Sequence, residues 1–526
     1  MKGFSDPPRF PLPALVLAAA CALYLVVGTL GHDPWKSDDA LHLGVAWGFF
    51  AGDGWLVPRI AGDAWSGVAP LYHWVAAILA WVTQWALPFH EGARLASVAF
   101  GATFIFLLFR AAVSLYGREA GLAAPALTIG AVGLLVPVHD AQPAIAVLAA
   151  AAVAYLGLAR MPEKPLPSAA VLGIGVGIAI AADGVSGAAP LLPLLLLPLV
   201  QRRWIAFFIA LYVAIAIASL WPTLLALRTP GHLLAWWGDE LRTLAVHRHA
   251  FGRDHFELLG WFAWPVLPIA LWAAWIGRLQ WRAWNLLVPI GGALAALIWF
   301  LAHEPRPLVA LPLLPPLVLL ACSGVHRLRR GASNALDWFG MMTFSLAIAL
   351  IWLGGIAMWT GWPAQIAHNF AKLEPGYEPR FSLPALIVAL GFTAAWIAAI
   401  LRLRRSPWRT AIRWAAGMTA MWGVLVALWM PWIDYGKTYR SVANSLRASL
   451  PEDAGCVERR GVGLPQRAML DYLAGIRTVP ESRMADCGWM LVQGTRKEPR
   501  LQGWNKVWEG HRPGDKTERL RLYKRD

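Results

Sequence analysis

The run PLPALVLAAACALYLVVGTL, residues 11–30, contains twenty residues and no charged side chain. A helix of about 20 apolar residues spans a hydrocarbon core about 30 Å thick, so this run predicts a transmembrane helix. Similar runs recur along the chain, whose 526 residues are 58% hydrophobic and 15% charged, with a mean hydropathy of +0.51. Soluble domains contain about 25% charged residues. The sequence therefore predicts an α-helical polytopic membrane protein.

Positive charge orients the predicted crossings. The net charge is +15, but Lys and Arg lie in short clusters between apolar runs, which is typical of membrane topology and not of nucleic-acid binding. Placing every cluster in the cytoplasm predicts 13 crossings and an external C-terminus. The crossings fall at about 11–30, 94–115, 120–138, 143–160, 168–182, 188–200, 204–221, 257–275, 285–301, 308–321, 338–358, 384–401 and 411–431.

Residues 71–88 are apolar but are not predicted to cross the membrane. A crossing there would place Arg110 and Arg118 outside, so we expect this segment to lie in, or half enter, the outer interface.

Acidic and histidine residues collect on the predicted external face. The stretch HDPWKSDDALHLGVAWGFF, residues 32–50, places Asp38 and Asp39 directly after the first crossing. Adjacent carboxylates beside a bilayer lose hydration and repel each other, so we expect them to bind a cation, share a proton or perform acid–base chemistry. Ordinary polar loops are the alternative explanation for this face.

The chain divides into two predicted domains. Residues 1–432 form a transmembrane domain whose first external loop is 31–93, and residues 433–526 form a small external α/β domain. The latter has an amphipathic helical pattern followed by strand-like segments such as WMLVQGTR and RLRLYKR. Its Cys456 and Cys487 form a disulfide in an oxidising compartment, or remain two free thiols.

Several motifs resemble a known family in their order and spacing. They are the acidic pair, GDGWLVPRIAGDAW (52–65), APLYHW (69–74), the segment from RLASVAF (94–100) to GREAGLAA (117–124), HDAQP (139–143), and HEPRPLVALPLLPPLVLLA (303–321). Together they resemble the bacterial lipid A aminoarabinose transferases and the related protein O-mannosyltransferases, which are membrane glycosyltransferases of the GT-C class. The resemblance covers about residues 30–325.

This resemblance carries expectations for fold and function. It implies a GT-C fold with 13 helices, in the bacterial inner (cytoplasmic) membrane, with the active site and the C-terminal domain in the periplasm. It also implies inverting transfer of a sugar from a polyprenyl (undecaprenyl) phosphate donor to a lipid, glycan or protein acceptor. Membrane lipids are expected partners, and nucleic acid is not.

The resemblance also assigns catalytic residues. Asp38 stands where the family has its catalytic base, Asp39 where it has a Glu, and Asp140 where it has a second Asp that would orient the acceptor or assist a cation. A carboxylate within hydrogen-bond reach takes a proton from the acceptor, and the phosphate leaves without a second carboxylic acid. His139 could hydrogen-bond the same group. As an alternative, Asp140 caps the helix that begins near Ala144.

The chain departs from the family at positions that bind phosphate. Leu41 and His42 replace an Arg-Tyr pair, residues 67–70 (GVAP) replace Glu-Lys-Pro-Pro, and residues 183–185 (DGV) replace Lys-Gly-Pro. The usual phosphate lysine and an acidic metal ligand are therefore missing.

Other residues are candidates to bind the substrates. An arginine fork pairs with phosphate oxygens, or alternatively anchors at the lipid headgroups. Aromatic residues would border the sugar pocket or pack at the interface. The candidates are Arg59, Arg248, Arg253 and Arg306 for phosphate, Trp65, Tyr72 and Trp74 for the sugar, and His303 beside Glu304 as a further substrate contact.

No protein metal site is predicted. His247, His249 and His255 are too loosely spaced for a convincing ligand set, although divalent cations accompany much phosphate chemistry and one remains an alternative. No nucleotide-binding fingerprint is convincing, which fits a lipid-borne donor.

Two other functions compete with the transferase. A transporter would have ionisable residues near the membrane midplane and broken helices in two related halves. A catalytically silent binding homologue is suggested by the lost lysine and arginine. The depth of Asp38 and Asp140 discriminates, because a transferase needs both on the external face.

Overall fold

The computed structural model describes residues 7–245, 252–481, 487–499, 501–513, 515 and 517–526. Its first helices are α1 (Ala14–Val26), α2 (Asp38–Phe50), α3 (Leu71–Thr83), α4 (Phe89–Tyr116), α5 (Arg118–Gly121), α6 (Ala123–Ile129), α7 (Pro143–Arg160), α8 (Pro165–Ala188), α9 (Leu197–Val200), α10 (Trp204–Ala218), α11 (Leu220–Arg228) and α12 (Pro230–Leu244). They are followed by α13 (Arg253–Phe262), α14 (Val266–Gly277), α15 (Trp284–Ala302), α16 (Pro307–Ala310), α17 (Leu314–Gly324), α18 (Arg330–Thr360), α19 (Ala364–Leu373), α20 (Leu383–Arg402), α21 (Arg409–Lys437), α22 (Arg440–Ser449) and α23 (Leu464–Ala474).

Within these described ranges, nine helical stretches are long and apolar enough to cross a membrane, and the α13–α14 pair, bent by 92°, makes a tenth. The predicted crossings 11–30 and 120–138 contain only the shorter helices α1 and α6. The polytopic helical architecture is thus confirmed, while the number 13 stays a prediction.

The packing of α8 against α10 shows how the chain turns between them. Gly173 lies against Ala210, and Gly177 lies against Ala214. The contact advances by four residues in the same direction on both helices, so α8 and α10 run parallel. Residues 189–200, which connect them in sequence, must therefore run in the opposite direction. The continuous helical stretch Pro165–Val200 therefore contains two passages in opposite directions, in line with the separate crossings predicted at 168–182 and 188–200.

Helices α18, α20 and α21 form an up-down-up group. Gly340 lies against Trp414 and Gly354 against Trp429, which makes α18 and α21 parallel. The intervening α20 returns between them. The last turns of α21 reach the segment after α1, where the Trp35 indole donates to Asp434 at 2.8 Å.

Helix α3 packs against only the beginning of α4. The Tyr72 hydroxyl bonds Ser97, and Thr83 lies beside Gly92, so both contacts fall within the first nine residues of α4. Such a short helix at one end of the bundle is consistent with the interfacial position expected for 71–88.

The C-terminal domain is a mixed sheet with two helices. Its strands are β3 (Val457–Arg460), β4 (Val479–Pro480), β5 (Trp489–Gly494), β6 (Trp504–Gly510) and β7 (Arg519–Arg525), in the order β4-β3-β5-β7-β6. Strand β3 is parallel to β4 and β5, whereas β7 is antiparallel to β5 and β6. A disulfide joins Cys456 to Cys487. The predicted α/β character is confirmed, and of the two states left open for these cysteines the structure has the disulfide.

This domain packs tightly on the first loop, which contains the short hairpin β1 (Arg59–Ile60) and β2 (Asp63–Ala64). Asp63 pairs with Arg459 and Arg467 at 2.7 and 2.6 Å. The predicted boundary at 432/433 lies inside α21, which ends at Lys437. The division into 1–432 and 433–526 remains a proposal.

Candidate active site

A buried ion pair stands where α2 begins. Asp39 is 3% exposed and Arg94, from α4, is 0% exposed. Arg94 donates through Nε to one oxygen of Asp39 at 3.1 Å and through Nη2 to the other at 2.7 Å. The backbone N–H groups of Ala141 and Trp35 donate to the same two oxygens at 2.8 and 3.1 Å. A buried pair is stable only when its hydrogen-bonding capacity is filled, as here.

Burial alone would raise the pKa of Asp39, but the charge and hydrogen bonds of Arg94 hold it below the ordinary value. Arg94 also donates to the carbonyls of His32 and Asp33 at 2.8 and 2.9 Å. Arg94 therefore joins the segment after α1 to the start of α2, and its partner Asp39 extends the contact to the turn before α7. Arg94 was not predicted as a site residue, although a lone charge inside an apolar helix is a signal for one.

Asp38 has a different environment from its neighbour. Its side chain is half-buried, and among the described residues it receives one hydrogen bond, from Ser37 Oγ at 3.3 Å. The carboxylate is thus left open to a ligand at this end of the bundle.

Asp140 lies in the turn that Asp39 and Arg94 hold. Burial, followed by the nearby charge of Asp39, raises the pKa of Asp140 to about 7, with Arg94 opposing the shift. The group therefore exchanges a proton near neutral pH. The capping alternative is wrong, because Gln142 occupies the cap position of α7. Asp38 and Asp140 lie at the same end of the molecule, as a transferase requires.

Tyr72 and His139 make hydrogen bonds that hold the turn before α7. Tyr72 is fully buried, and its hydroxyl accepts from the backbone of Gln142 at 2.9 Å and bonds Ser97, which in turn donates to the carbonyl of Asp140 at 2.6 Å. The two ring nitrogens of His139 lie within hydrogen-bond distance of the Leu135 and Tyr24 carbonyls. Both residues therefore make contacts within the protein, and a direct contact of either with substrate stays a prediction.

The structure describes three of the four arginines predicted to bind phosphate, and they differ in burial and in partners. Arg59 donates to the Gly62 carbonyl at 2.9 Å, and its buried Nε has no partner within the described part of the chain. Arg253 and Arg306 are 88% and 68% exposed and form ion pairs with Glu257 and Glu304. Arg59 is thus the arginine with unused capacity in a partly buried setting.

His303 lies at the end of α15. Its Nδ1 is 2.8 Å from the carbonyl of Trp299, whose ring it stacks on, and its own carbonyl is 3.0 Å from Nε2 of His255. The other members of the predicted histidine cluster, His247, Arg248 and His249, lie outside the described residues. No group of three or more His, Cys, Asp or Glu side chains is arranged to hold a metal among the residues that the structure does describe.

A cavity of about 290 Å³ is lined by residues of α2 and of the turn before α7, although Asp38, Asp39 and Asp140 are not among its lining residues. His42 lines it from α2, one helical turn beyond Asp38 and therefore on the same helix face. Gln142 lines it from the turn that carries Asp140. The other lining residues are Gly67, Ala144, Val147, Leu148, Asp183, Ser186, Gly187, Thr243, Trp299, Leu308, Val309, Leu311 and Pro312. Three positions at which the chain departs from the family, 42, 67 and 183, meet in this cavity.

Comparison with known proteins supports the resemblance. No family model matches the chain. The undecaprenyl phosphate-alpha-4-amino-4-deoxy-L-arabinose arabinosyl transferase of Pseudomonas aeruginosa strain LESB58 is 27% identical over 439 residues, covering 78% of this chain and 74% of the relative. The protein of the same name from strain UCBPP-PA14 is 26% identical over 444 residues, with the same coverage.

Solved structures share the fold. ArnT from Cupriavidus metallidurans bound to undecaprenyl phosphate superposes with a TM-score of 0.72, at 16% identity and with 97% of both chains covered. Its apo state gives 0.68 at 17% identity, again with 97% of both chains covered. The apo oligosaccharyltransferase of Archaeoglobus fulgidus gives 0.50 at 11% identity, with 90% of this chain and 65% of that chain covered. The resemblance predicted from the motifs is therefore confirmed: the chain is similar in sequence to these transferases and shares the GT-C fold of the ArnT structures.

Proposed function

We propose that this protein is a membrane glycosyltransferase that takes a sugar from a polyprenyl phosphate donor, with Asp38 as the general base. The observation that carries the proposal is the open carboxylate of Asp38, one helical turn before the cavity-lining His42, in a chain of which 97% superposes on lipid-bound ArnT. A transporter is not favoured, because the acidic groups gather at one end of the bundle and the structural relatives are transferases.

The chemistry requires few groups. The acceptor hydroxyl or amine attacks the anomeric carbon opposite the phosphate, so that a bond from the acceptor forms while the bond from the sugar to the phosphate oxygen breaks. The configuration inverts, and the acceptor proton passes to Asp38. The phosphate leaves as an anion, so a carboxylic acid is not needed for the leaving group.

Asp140 and an arginine support the reaction. Because Asp140 exchanges a proton near pH 7, it can orient the acceptor through a hydrogen bond. Arg59 is the preferred phosphate clamp, since its buried Nε is unused, whereas Arg253 and Arg306 are exposed and already paired. A guanidinium holds a phosphate through two parallel bonds.

The orientation in the membrane follows from charge. The cavity and the C-terminal domain lie at the end opposite the basic clusters, which supports a site on the periplasmic face of the bacterial inner membrane. Lipid, glycan and protein acceptors are all compatible with this placement, and a divalent cation bound with the donor phosphate remains an alternative.

The test compares Asp38→Asn with wild-type protein in membranes supplied with a lipid extract containing undecaprenyl phosphate sugars. The product is first identified by mass spectrometry of envelope lipids and glycans with and without the gene. A general base contributes about 10²–10⁴-fold, and we expect a loss of that order. The exposed Glu163, at the other end of the bundle, provides the control Glu163→Gln. A transfer rate unchanged in Asp38→Asn, with equal amounts of folded protein, would contradict the proposal.

A further inference from the structure

The cavity lined by His42, one helical turn beyond Asp38, presents polar groups that the protein leaves unused. No hydrogen bond from the described residues reaches the carboxylate of Asp183 or Nε2 of His42, and both side chains line the cavity. His42 is only 8% exposed. Asp183 is half-buried. Polar groups that line a cavity and lack protein partners are available to a ligand, and one with hydroxyl groups would satisfy both.

Asp183 is held in position by a break in α8. Asp183 and Gly184 have non-helical backbone angles. The φ of Gly184 is +78°, a value that residues other than glycine rarely adopt. The carboxylate of Glu240 fills the space where a side chain at 184 would project, and it accepts from the backbone of Ser186 at 2.7 Å. Glu240 thus fixes the bend that brings Asp183 to the cavity wall.

His42 is fixed by a second histidine. Its Nδ1 lies 3.1 Å from Nε2 of the fully buried His73. Burial lowers the pKa of His42 to about 4, so the imidazole is neutral at physiological pH. With Nδ1 occupied, Nε2 is the nitrogen that remains for a ligand.

An aromatic wall completes the cavity. Trp299 lines it from α15, and His303 supports the Trp299 ring with 3.9 Å between ring centroids. Small-molecule pockets combine aromatic walls with a few convergent polar groups, and usually measure about 300–1,000 Å³. At about 290 Å³ this cavity suits one monosaccharide ring and not a longer glycan.

We propose that this cavity is the subsite for the transferred sugar, in which Asp183 and His42 bind hydroxyl groups of one pyranose or furanose ring and Trp299 lies against its face. The inference rests on the proposed function and extends it: the residues at 42, 67 and 183 select the sugar. All three positions line the cavity, and all three are positions at which the chain departs from the family pattern.

Binding of donor lipids to the detergent-purified full chain tests the subsite. The probes are bare undecaprenyl phosphate and undecaprenyl phosphate carrying glucose, galactose, mannose or aminoarabinose, and the measurement is the ratio of each affinity to that of the bare lipid. A hydrogen bond to a charged group contributes about 1.5–3 kcal/mol, or roughly tenfold or more in affinity. We expect one sugar to strengthen binding at least tenfold in the wild type.

The variants are Asp183→Asn, His42→Gln and Leu308→Trp, the last of which narrows the cavity, with Glu163→Gln as the control. We expect the three to lose the tenfold gain while binding the bare lipid as the wild type does, which also shows that they are folded. Variants that keep the gain, or a wild type for which no sugar improves on the bare lipid, overturn the subsite. A wild type that binds none of the lipids overturns the proposed function itself.

Discussion

Asp38 and Asp39 are adjacent in sequence, and the structure predicts opposite consequences for their removal. Asp39→Asn should destabilise the fold and reduce activity together. Asp38→Asn should reduce activity and leave stability unchanged. The reason is that Asp39 is ion-paired with Arg94 and receives four hydrogen bonds, whereas Asp38 receives one, from Ser37.

The magnitude follows from what Arg94 loses. In Asp39→Asn its Nε and Nη2 no longer face a negative charge, and one of the two oxygens they bond becomes an NH2 group that cannot accept. The amide oxygen and the carbonyls of His32 and Asp33 remain as acceptors for Arg94. Removing one partner of a buried ion pair costs about 3–5 kcal/mol, because the other charge stays buried and unpaired. Total stabilities are about 5–15 kcal/mol, so a large share of the stability is lost.

Unfolding in mixed micelles of increasing SDS content measures this free energy. The matched control is Arg253→Gln, which breaks an exposed pair with Glu257, where about 0–1 kcal/mol is expected. The double variant Asp39→Asn/Arg94→Met removes both charges, so its cost should fall below the sum of the single costs by about 0.5–3 kcal/mol. Equal stabilities of Asp38→Asn and Asp39→Asn, or strict additivity in the double variant, would refute the reasoning.

Three further predictions concern the turn, the C-terminal domain and their contact. Because the pKa of Asp140 is raised in the folded state, the folded protein holds a proton there that the unfolded chain releases. The stabilisation from this proton is complete below about pH 4 and is lost as the pH rises to about 7. Asp140→Asn should therefore be more stable than wild type at pH 8, and the difference should close at pH 4. Reduction of Cys456–Cys487, which are 31 residues apart, should destabilise the C-terminal domain by about 3–4 kcal/mol, measured as faster proteolysis of that domain with dithiothreitol. Gly44→Leu would collide with Ala468, since even a Cβ at 44 would lie 2.3 Å from its Cβ; we expect α2 to shift and activity to fall more than for Gly231→Leu, where the space is open.

Features that depend on local composition were predictable from the sequence. The polytopic helical architecture, the strands of the C-terminal domain and the disulfide follow from hydrophobic runs, alternation and compartment. The two passages within Pro165–Val200 were also predicted, because Asp183 interrupts the apolar run. The 92° bend between α13 and α14 was not predicted, since it falls within one continuous apolar stretch.

The site was predicted in part, because motifs identify residues and not their partners. The acidic pair and Asp140 were singled out correctly as neighbours at one end, but Arg94 was read only as the start of a motif. Its contact with Asp39 spans 55 residues of sequence, and only the packing of α4 against α2 creates it. Likewise, nothing local in the sequence brings Asp183 to the same cavity as His42.

Helix geometry explains why two adjacent carboxylates can serve unlike purposes. Successive residues of an α-helix, at 3.6 per turn, point about 100° apart, so Asp39 turns inward to Arg94 while Asp38 stays on the face that His42 shares one turn later. The inward carboxylate fixes the position of α2 against α4 and the 139–142 turn. Asp38 is thereby held one helical turn before the cavity-lining His42, and it makes no ion pair of its own among the described residues. A general base that has no ion pair to hold it depends on a fixed backbone for its position. Asp39 is therefore a positioning residue for Asp38.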